Sequence, residues 1–329
     1  MGRICLITGG NSGIGYAAAG QLLKAGHKVI LACRDKGKGE GAVKALEPAA
    51  AAACSSVEYI QLDLASLSSV RSCANDVLSR YPRLDVLCCN AAVVPAKVGI
   101  TQDGHELTFQ SNHLGHFLLA HLLLPALLRS DAGRIVVVSS ELHRKHGGLP
   151  PSPTYMTADI FRAQGEAPPA QQGTAGAQAP ATSPAAPAAA PAFSGMAVYG
   201  LSKLYNVWFT RHLAELLAST PVTVNAVTPG FIPSTNLSRN ANFFGRLVMR
   251  NIMPLLPFAV NDATGAARVV SVCVGKEADG VTGAYFSKGV QTPSSAESLD
   301  VAKAQELWDV SLAAAGITQP YVPAALAKE

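Results

Sequence analysis

Short apolar runs alternate with stretches of helical period along the first 140 residues. The runs at 4–8, 29–33, 57–62, 84–89 and 134–139 are close to continuously apolar, as expected for strands covered on both faces. Between them, 13–25, 67–80 and 104–129 carry apolar residues at helical spacing. This alternation predicts an α/β fold with a single Rossmann-like doubly wound parallel sheet, about seven strands with helices on both faces. A helix over 197–218, a strand near 222–227, a helix over 264–273, a strand near 284–286 and a terminal helix from Glu297 complete it. Residues 1–329 read as a single domain with no internal repeat and no second core.

Two segments interrupt the pattern. Residues 163–192 form an Ala/Pro/Gln/Gly tract with six prolines and no aromatic residue. Such a tract buries too little apolar surface to offset its ordering entropy, so it reads as a disordered insert. Residues 231–260 contain no carboxylate between Phe231 and Val260 but carry Arg239, Arg246 and Arg250 among Phe243, Phe244, Leu247, Met249, Ile252 and Leu256. An apolar, basic segment there reads as a substrate lid, with peripheral membrane contact or a dimer contact as the other uses of such a face.

Composition narrows the class. Hydrophobic content is 49% and net charge +4, with no Lys/Arg block that would suggest nucleic acid. Seven cysteines is an odd number, and Cys5, Cys33, Cys88 and Cys89 lie inside predicted strands, as small core residues in a reducing compartment would. Glycine-rich sequence starts almost at Met1, leaving no room for a targeting peptide. The expectation is a cytoplasmic protein, with an organellar site left open if a transit peptide was removed. His105, His113, His116, His121, His143 and His146 lack clustered acid or thiol companions, so no metal is expected.

Residues 8–15 read Thr-Gly-Gly-Asn-Ser-Gly-Ile-Gly, after the first strand and opening the first helix. Glycines there allow positive φ and close backbone approach, and the helix start offers N–H groups to a pyrophosphate. Arg34 follows the second strand, where a 2′-phosphate would sit. That favours NADP(H), while Asp35 keeps NAD(H) open. Asp63 ends the third strand, placed for an adenine ring or as a cap for the following helix. Asn90 ends the fourth, placed to satisfy backbone groups or touch a ribose. Finally Tyr199 and Lys203, four apart, put a phenol and an ammonium on one helical face. A neighbouring cation is what a tyrosine needs to work as an acid or base near neutral pH.

Taken together, the glycine motif, Asp63, Asn90-Ala91-Ala92, Asn112, Ser140, Tyr199, Lys203 and Pro229-Gly230 make the chain resemble the short-chain dehydrogenase/reductase family over nearly its whole length. The resemblance implies that Ser140 polarises the substrate oxygen and Tyr199 exchanges a proton with it. Lys203 then lowers the tyrosine pKa and binds the nicotinamide ribose, and Asn112 holds a relay water. It implies a cofactor site made by Gly9, Asn11, Ser12, Gly13, Ile14, Gly15, Arg34, Asp63, Asn90, Tyr199, Lys203, Pro229, Gly230, Ile232 and Ser234. Of Ser139 and Ser140, which alternate across a strand end, only one should face the site.

Within that family, residues 62–67, 89–92 and 112–119 resemble light-dependent protochlorophyllide oxidoreductase and the retinol dehydrogenase-like enzymes. Ser140 and Tyr199 lie 59 positions apart, wider than the family's usual spacing, and the insert accounts for the excess. Val94, Phe231 and the Glu-Leu-His run after Ser140 depart from the protochlorophyllide enzyme. The expected function is NADP(H)-dependent hydride transfer between the nicotinamide and a carbonyl or alcohol of an apolar small molecule. Reduction of a tetrapyrrole ring double bond and a non-catalytic nucleotide-sensing module are the alternatives. A homo-oligomer is implied by the family alone.

Overall fold

The computed structural model describes residues 2–147, 149–154, 193–232 and 259–318. The insert at 163–192 and most of the proposed lid, 233–258 with Ser234, lie outside them.

Strands β1 (Ile4–Thr8), β2 (Lys28–Cys33), β3 (Val57–Gln61), β4 (Val86–Cys89), β5 (Arg134–Val138), β6 (Thr223–Thr228) and β7 (Tyr285–Ser287) run parallel. A two-residue strand β8 (Val290–Gln291) pairs antiparallel with β7 and makes the sheet eight-stranded, one more than expected. At two residues, β8 has no periodicity to announce it. The sheet order is β3-β2-β1-β4-β5-β6-β7-β8. Chain direction in the order reverses between β1 and β4, and crevices for ligands form outside the carboxyl ends at such a switch point.

Side chains alternate across the sheet. Leu6 packs into the core on one face and Cys5 and Ile7 into that on the other. One face is covered by helices α3 (Leu67–Arg80), α4 (Gly115–Leu127), α5 (Gly195–Leu216) and α7 (Val301–Ala314), the other by α1 (Gly13–Lys24), α2 (Lys36–Ala52) and α6 (Asp262–Val274). The two apolar clusters are therefore the two sides of one sheet. Cys5, Cys33, Cys88 and Cys89 are buried free thiols within it.

The helix expected over 104–129 is broken. A helical turn at Leu107–Phe109 passes into a π-helical segment, Gln110–Leu114, before α4 begins. Glu106 starts it: its buried carboxylate accepts the Phe109 N–H at 2.7 Å and the Thr108 hydroxyl at 2.9 Å. The wide turn then brings the Gly115 N–H onto the Gln110 carbonyl. Such π segments mark places where a helix is bent to serve a site. Here Asn112 sits at its centre.

Candidate active site

The nucleotide side is built from missing side chains. Gly9 and Gly13 have φ of +67° and +54°, a region that suits glycine. A Cβ on Gly15 would lie 2.5 Å from the Gly9 carbonyl oxygen and 2.6 Å from Asn90 Nδ2, so α1 packs directly on the loop backbone and on the Asn90 amide at the end of β4. A Cβ on Gly13 would meet nothing within 4 Å. Ser12, the N-cap of α1, makes no side-chain cap bond, and no acid occupies the first turn. An open, cation-like helix start of this kind suits a phosphate, so the residues present fit a dinucleotide. Asn11 and Ile14 flank the turn half-buried.

Around the cradle, Asn90 acts as a tie. Its backbone N–H donates to Thr8 Oγ1 at 2.9 Å and its amide to the Thr8 carbonyl at 2.8 Å. Asp63 folds back on its own chain, accepting the Ala65 N–H at 3.0 Å, while Ser66 caps α3. Asp35 caps α2: it accepts the Lys38 N–H at 2.9 Å and lies 3.5 Å from Lys38 Nζ. That backbone bond, with Lys38 beside it, holds its carboxyl below the usual range. Arg34 is exposed, and no carboxylate pairs with it among the described residues. On the far side, Pro229 and Ile232 are buried against Gly265 of α6, and Gly230, at φ +98°, lets Arg268 reach the Pro229 carbonyl at 2.9 Å.

The proton-transfer side is built from buried side chains. Ser139 and Ser140 do part company at the end of β5. Ser139 donates to the Lys203 carbonyl at 2.9 Å, whereas Ser140 Oγ accepts the Leu142 N–H at 3.2 Å and acts on the Tyr199 phenol, lowering its pKa. Gly200 makes this approach feasible, because a Cβ there would lie 2.8 Å from the Lys145 carbonyl oxygen and 2.9 Å from that of Leu142. The turn after Ser140 thus rests backbone to backbone on α5. Glu141 anchors that turn to β7 by accepting the Tyr285 and Ser287 hydroxyls, both at 3.1 Å, and pairs with Arg144 at 3.0 Å. His143 donates from Nδ1 to the Ser140 carbonyl at 2.7 Å and accepts the Ser295 N–H at 3.0 Å.

Lys203 Nζ donates to the Val138 carbonyl at 2.8 Å and lies 5.3 Å from the Tyr199 ring centroid. Both groups are almost wholly buried. Burial pulls the lysine down to about 7, with the Cys89 thiol opposing. It pushes the Tyr199 phenol up, with only the Ser140 hydrogen bond opposing. The expected lowering of the phenol by Lys203 is therefore not present in the chain alone. The ammonium sits over the ring rather than at the oxygen, and desolvation outweighs it.

Asn112 is fully buried and its amide makes three hydrogen bonds. Oδ1 accepts the Val93 N–H at 2.8 Å, and Nδ2 donates to the Val93 carbonyl at 3.0 Å and to Ser202 Oγ at 3.1 Å. Ser202 in turn donates to the Tyr199 carbonyl at 2.7 Å. Through Ser202 the amide braces the catalytic helix, with three of its four hydrogen-bonding positions taken. Ser202 and Gly200 lie inside the Tyr-Gly-Leu-Ser-Lys run, between the phenol and the ammonium whose spacing marks it.

The chain resembles known proteins throughout its length. Residues 3–158 match the family described as short chain dehydrogenase, and residues 231–322 the AcuH dehydrogenase domain. Retinol dehydrogenase 14 of Homo sapiens is 34% identical over 96% of this chain and 87% of its own length. The WW domain-containing oxidoreductase of Gallus gallus is 34% identical over 94% of this chain and 67% of its own. Among solved structures, an uncharacterized protein from Mycobacterium Paratuberculosis superposes with a TM-score of 0.67 at 27% identity, covering 98% of this chain and 95% of that one. An NADP complex of Pseudomonas aeruginosa RhlG shares the fold at 22% identity and a TM-score of 0.61, over 87% and 94% of the two chains. With its glycine cradle at the switch point and its Ser140–Tyr199–Lys203 face beside it, this chain belongs to the short-chain dehydrogenase/reductase family and is an NAD(P)-dependent oxidoreductase.

Proposed function

We propose that the protein interconverts a carbonyl and an alcohol on an apolar small molecule, with NADP(H) as its cofactor. The observation that carries this reading is the buried Tyr199 with Lys203 Nζ over its ring and Ser140 acting on its phenol, in a chain that also carries the Gly9–Gly15 cradle. Gly9, Asn11, Ser12, Gly13, Ile14 and Gly15 would hold the pyrophosphate, and Asp63, Asn90, Pro229, Gly230 and Ile232 would border the nucleoside and nicotinamide. NADPH, when bound, supplies the hydride. Ser140 Oγ donates to the substrate oxygen, and Tyr199 Oη gives up its proton as alkoxide charge grows there. Lys203, charged at and below about pH 7, supports the phenolate that this leaves behind.

The phosphate preference rests on Arg34 and Asp35. Asp35 is committed to capping α2 and to Lys38, which leaves Arg34 as the group placed for a 2′-phosphate. The apolar substrate is supported by Met196, one helical turn before Tyr199, and by Phe231, just past Pro229-Gly230, which are 54% and 39% exposed. Similarity to proteins named retinol dehydrogenases points the same way, toward a long apolar alcohol or aldehyde. The test is a panel of apolar aldehydes and ketones, retinal included, followed by NADPH absorbance with NADH in parallel. Turnover favouring NADPH is expected; turnover favouring NADH, or none across a broad panel, would count against the reading.

A further inference from the structure

His116 faces neither substrate nor solvent, yet it touches both halves of the site. It is 1% exposed on the first turn of α4. Its Nδ1 lies 3.1 Å from the Asn112 carbonyl oxygen, and its Nε2 lies 2.8 Å from Thr8 Oγ1. A carbonyl only accepts, so Nδ1 carries a proton.

The Thr8 hydroxyl fixes the other nitrogen. Its oxygen accepts the Asn90 N–H at 2.9 Å and the Ala91 N–H at 3.0 Å, which fills both lone pairs. Its own proton then goes to His116 Nε2 at 2.8 Å rather than to the Cys88 carbonyl at 3.4 Å. The ring is therefore neutral and held as one tautomer. Burial agrees, pulling it down to about 4 against the Asn112 bond, with the Lys203 charge acting in the same direction as burial.

Both ends of this bridge are hubs. Thr8 organises Asn90 and Ala91, the residues on which Gly9 and Gly15 rest. Asn112 organises Val93 and, through Ser202, the Tyr199 turn of α5. We propose that His116 is a positioning residue that joins the end of the nucleotide strand to the Asn112 turn, holding the dinucleotide cradle and the proton-transfer face in one geometry. The proposal builds on the NADP(H) reading above. Its Thr8 end serves cofactor binding and its Asn112 end serves turnover.

That division sets the test. In His116→Gln the side-chain carbonyl takes the Nε2 position and still accepts from Thr8; in His116→Asn the amide takes the Nδ1 position and still donates to Asn112. Loss of one buried hydrogen bond corresponds to about tenfold. NADPH affinity is read by nicotinamide fluorescence, kcat with the best substrate of the panel, and folding by thermal melting. His116→Gln is expected to keep NADPH affinity within about twofold and lose about tenfold in kcat; His116→Asn should show the reverse split; His116→Leu should lose both. If all three keep wild-type affinity and kcat, or fall together in proportion to melting temperature, the proposal is wrong. Nitrogen-15 NMR of the imidazole gives a readout that needs neither cofactor nor substrate. A neutral ring protonated at Nδ1 down to about pH 5 is expected, and an Nε2-protonated ring or titration near the usual histidine value would overturn the proposal. Failure of the wild type to bind NADPH would defeat the functional reading while the NMR result still judged the bridge.

Discussion

The dinucleotide edge and the proton-transfer face are built in opposite ways. At β1–α1, function comes from what is missing: Gly13 leaves open space, Gly9 and Gly15 let the loop and α1 pack closely, Ser12 leaves the helix start without a side-chain cap, and the nearby carboxylates of Asp35 and Asp63 are occupied by local bonds. At β5–α5 function comes from what is buried: Tyr199, Lys203 and Asn112 lie out of solvent, and the two ionisable groups are displaced from their ordinary behaviour by desolvation. A glycine cradle costs conformational entropy, whereas a buried lysine costs solvation. The two halves should therefore break differently.

The largest effect is expected at Lys203. Lys203→Met should lower turnover by at least about a hundredfold while raising the melting temperature, because it removes a buried ammonium that has no carboxylate partner among the described residues. The pH dependence follows. The folded lysine sits at about 7, below an unfolded value of roughly 10.4, so between those limits the unfolded chain binds more protons. Wild-type stability should thus rise with pH across that window and be flat with respect to this group below about 7. Urea titrations of wild type and Lys203→Met from pH 6.5 to 10 check this; parallel curves would sink it.

Gly15→Ala comes next, and should cost about 1–3 kcal/mol of stability along with NADPH affinity, since its Cβ would meet Gly9 and Asn90. Gly13→Ala meets no atom within 4 Å and should lose affinity with about 1 kcal/mol of strain. Equal destabilisation by the two would mean that contact does not set the cradle. Arg34→Ala should reduce the NADPH-over-NADH preference about tenfold, as measured by kcat/KM, by removing a charge-assisted bond. The smallest effect separates the neighbouring serines. Ser139→Ala should lower stability by about 1 kcal/mol with near-normal turnover, whereas Ser140→Ala, which also loses the cap on the Leu142 N–H, should lower stability by a similar amount and turnover as well.

Much of this was legible in the chain. The apolar runs placed the parallel strands to within a residue or two, and α3 at Leu67–Arg80 coincides with its predicted range. What escaped had physical reasons. Helix α2, which periodicity did not single out, contains Gly37, Gly39 and Gly41 and a Pro at position 48, and Gly39 is required because a Cβ there would strike the Tyr59 ring. The segment Gln110–Leu114 is held by Asn112 to Val93 and Ser202 and by His113 to Ser311, long-range partners that no local pattern encodes. His116 belonged to a group of six histidines with no shared spacing, and its partner Thr8 is 108 positions away. Residue roles that rest on one turn of helix could be read; those that rest on two distant strand ends could not.

The most direct test is Tyr199→Phe, which keeps the ring beneath Lys203 and removes only the hydroxyl. NADPH affinity by fluorescence and single-turnover hydride transfer to the best carbonyl substrate are measured on the same preparation. Expected is affinity within about twofold of wild type and a transfer rate at least about a hundredfold slower. Full-rate transfer in the folded variant would contradict the assignment of Tyr199 as the group that exchanges the proton.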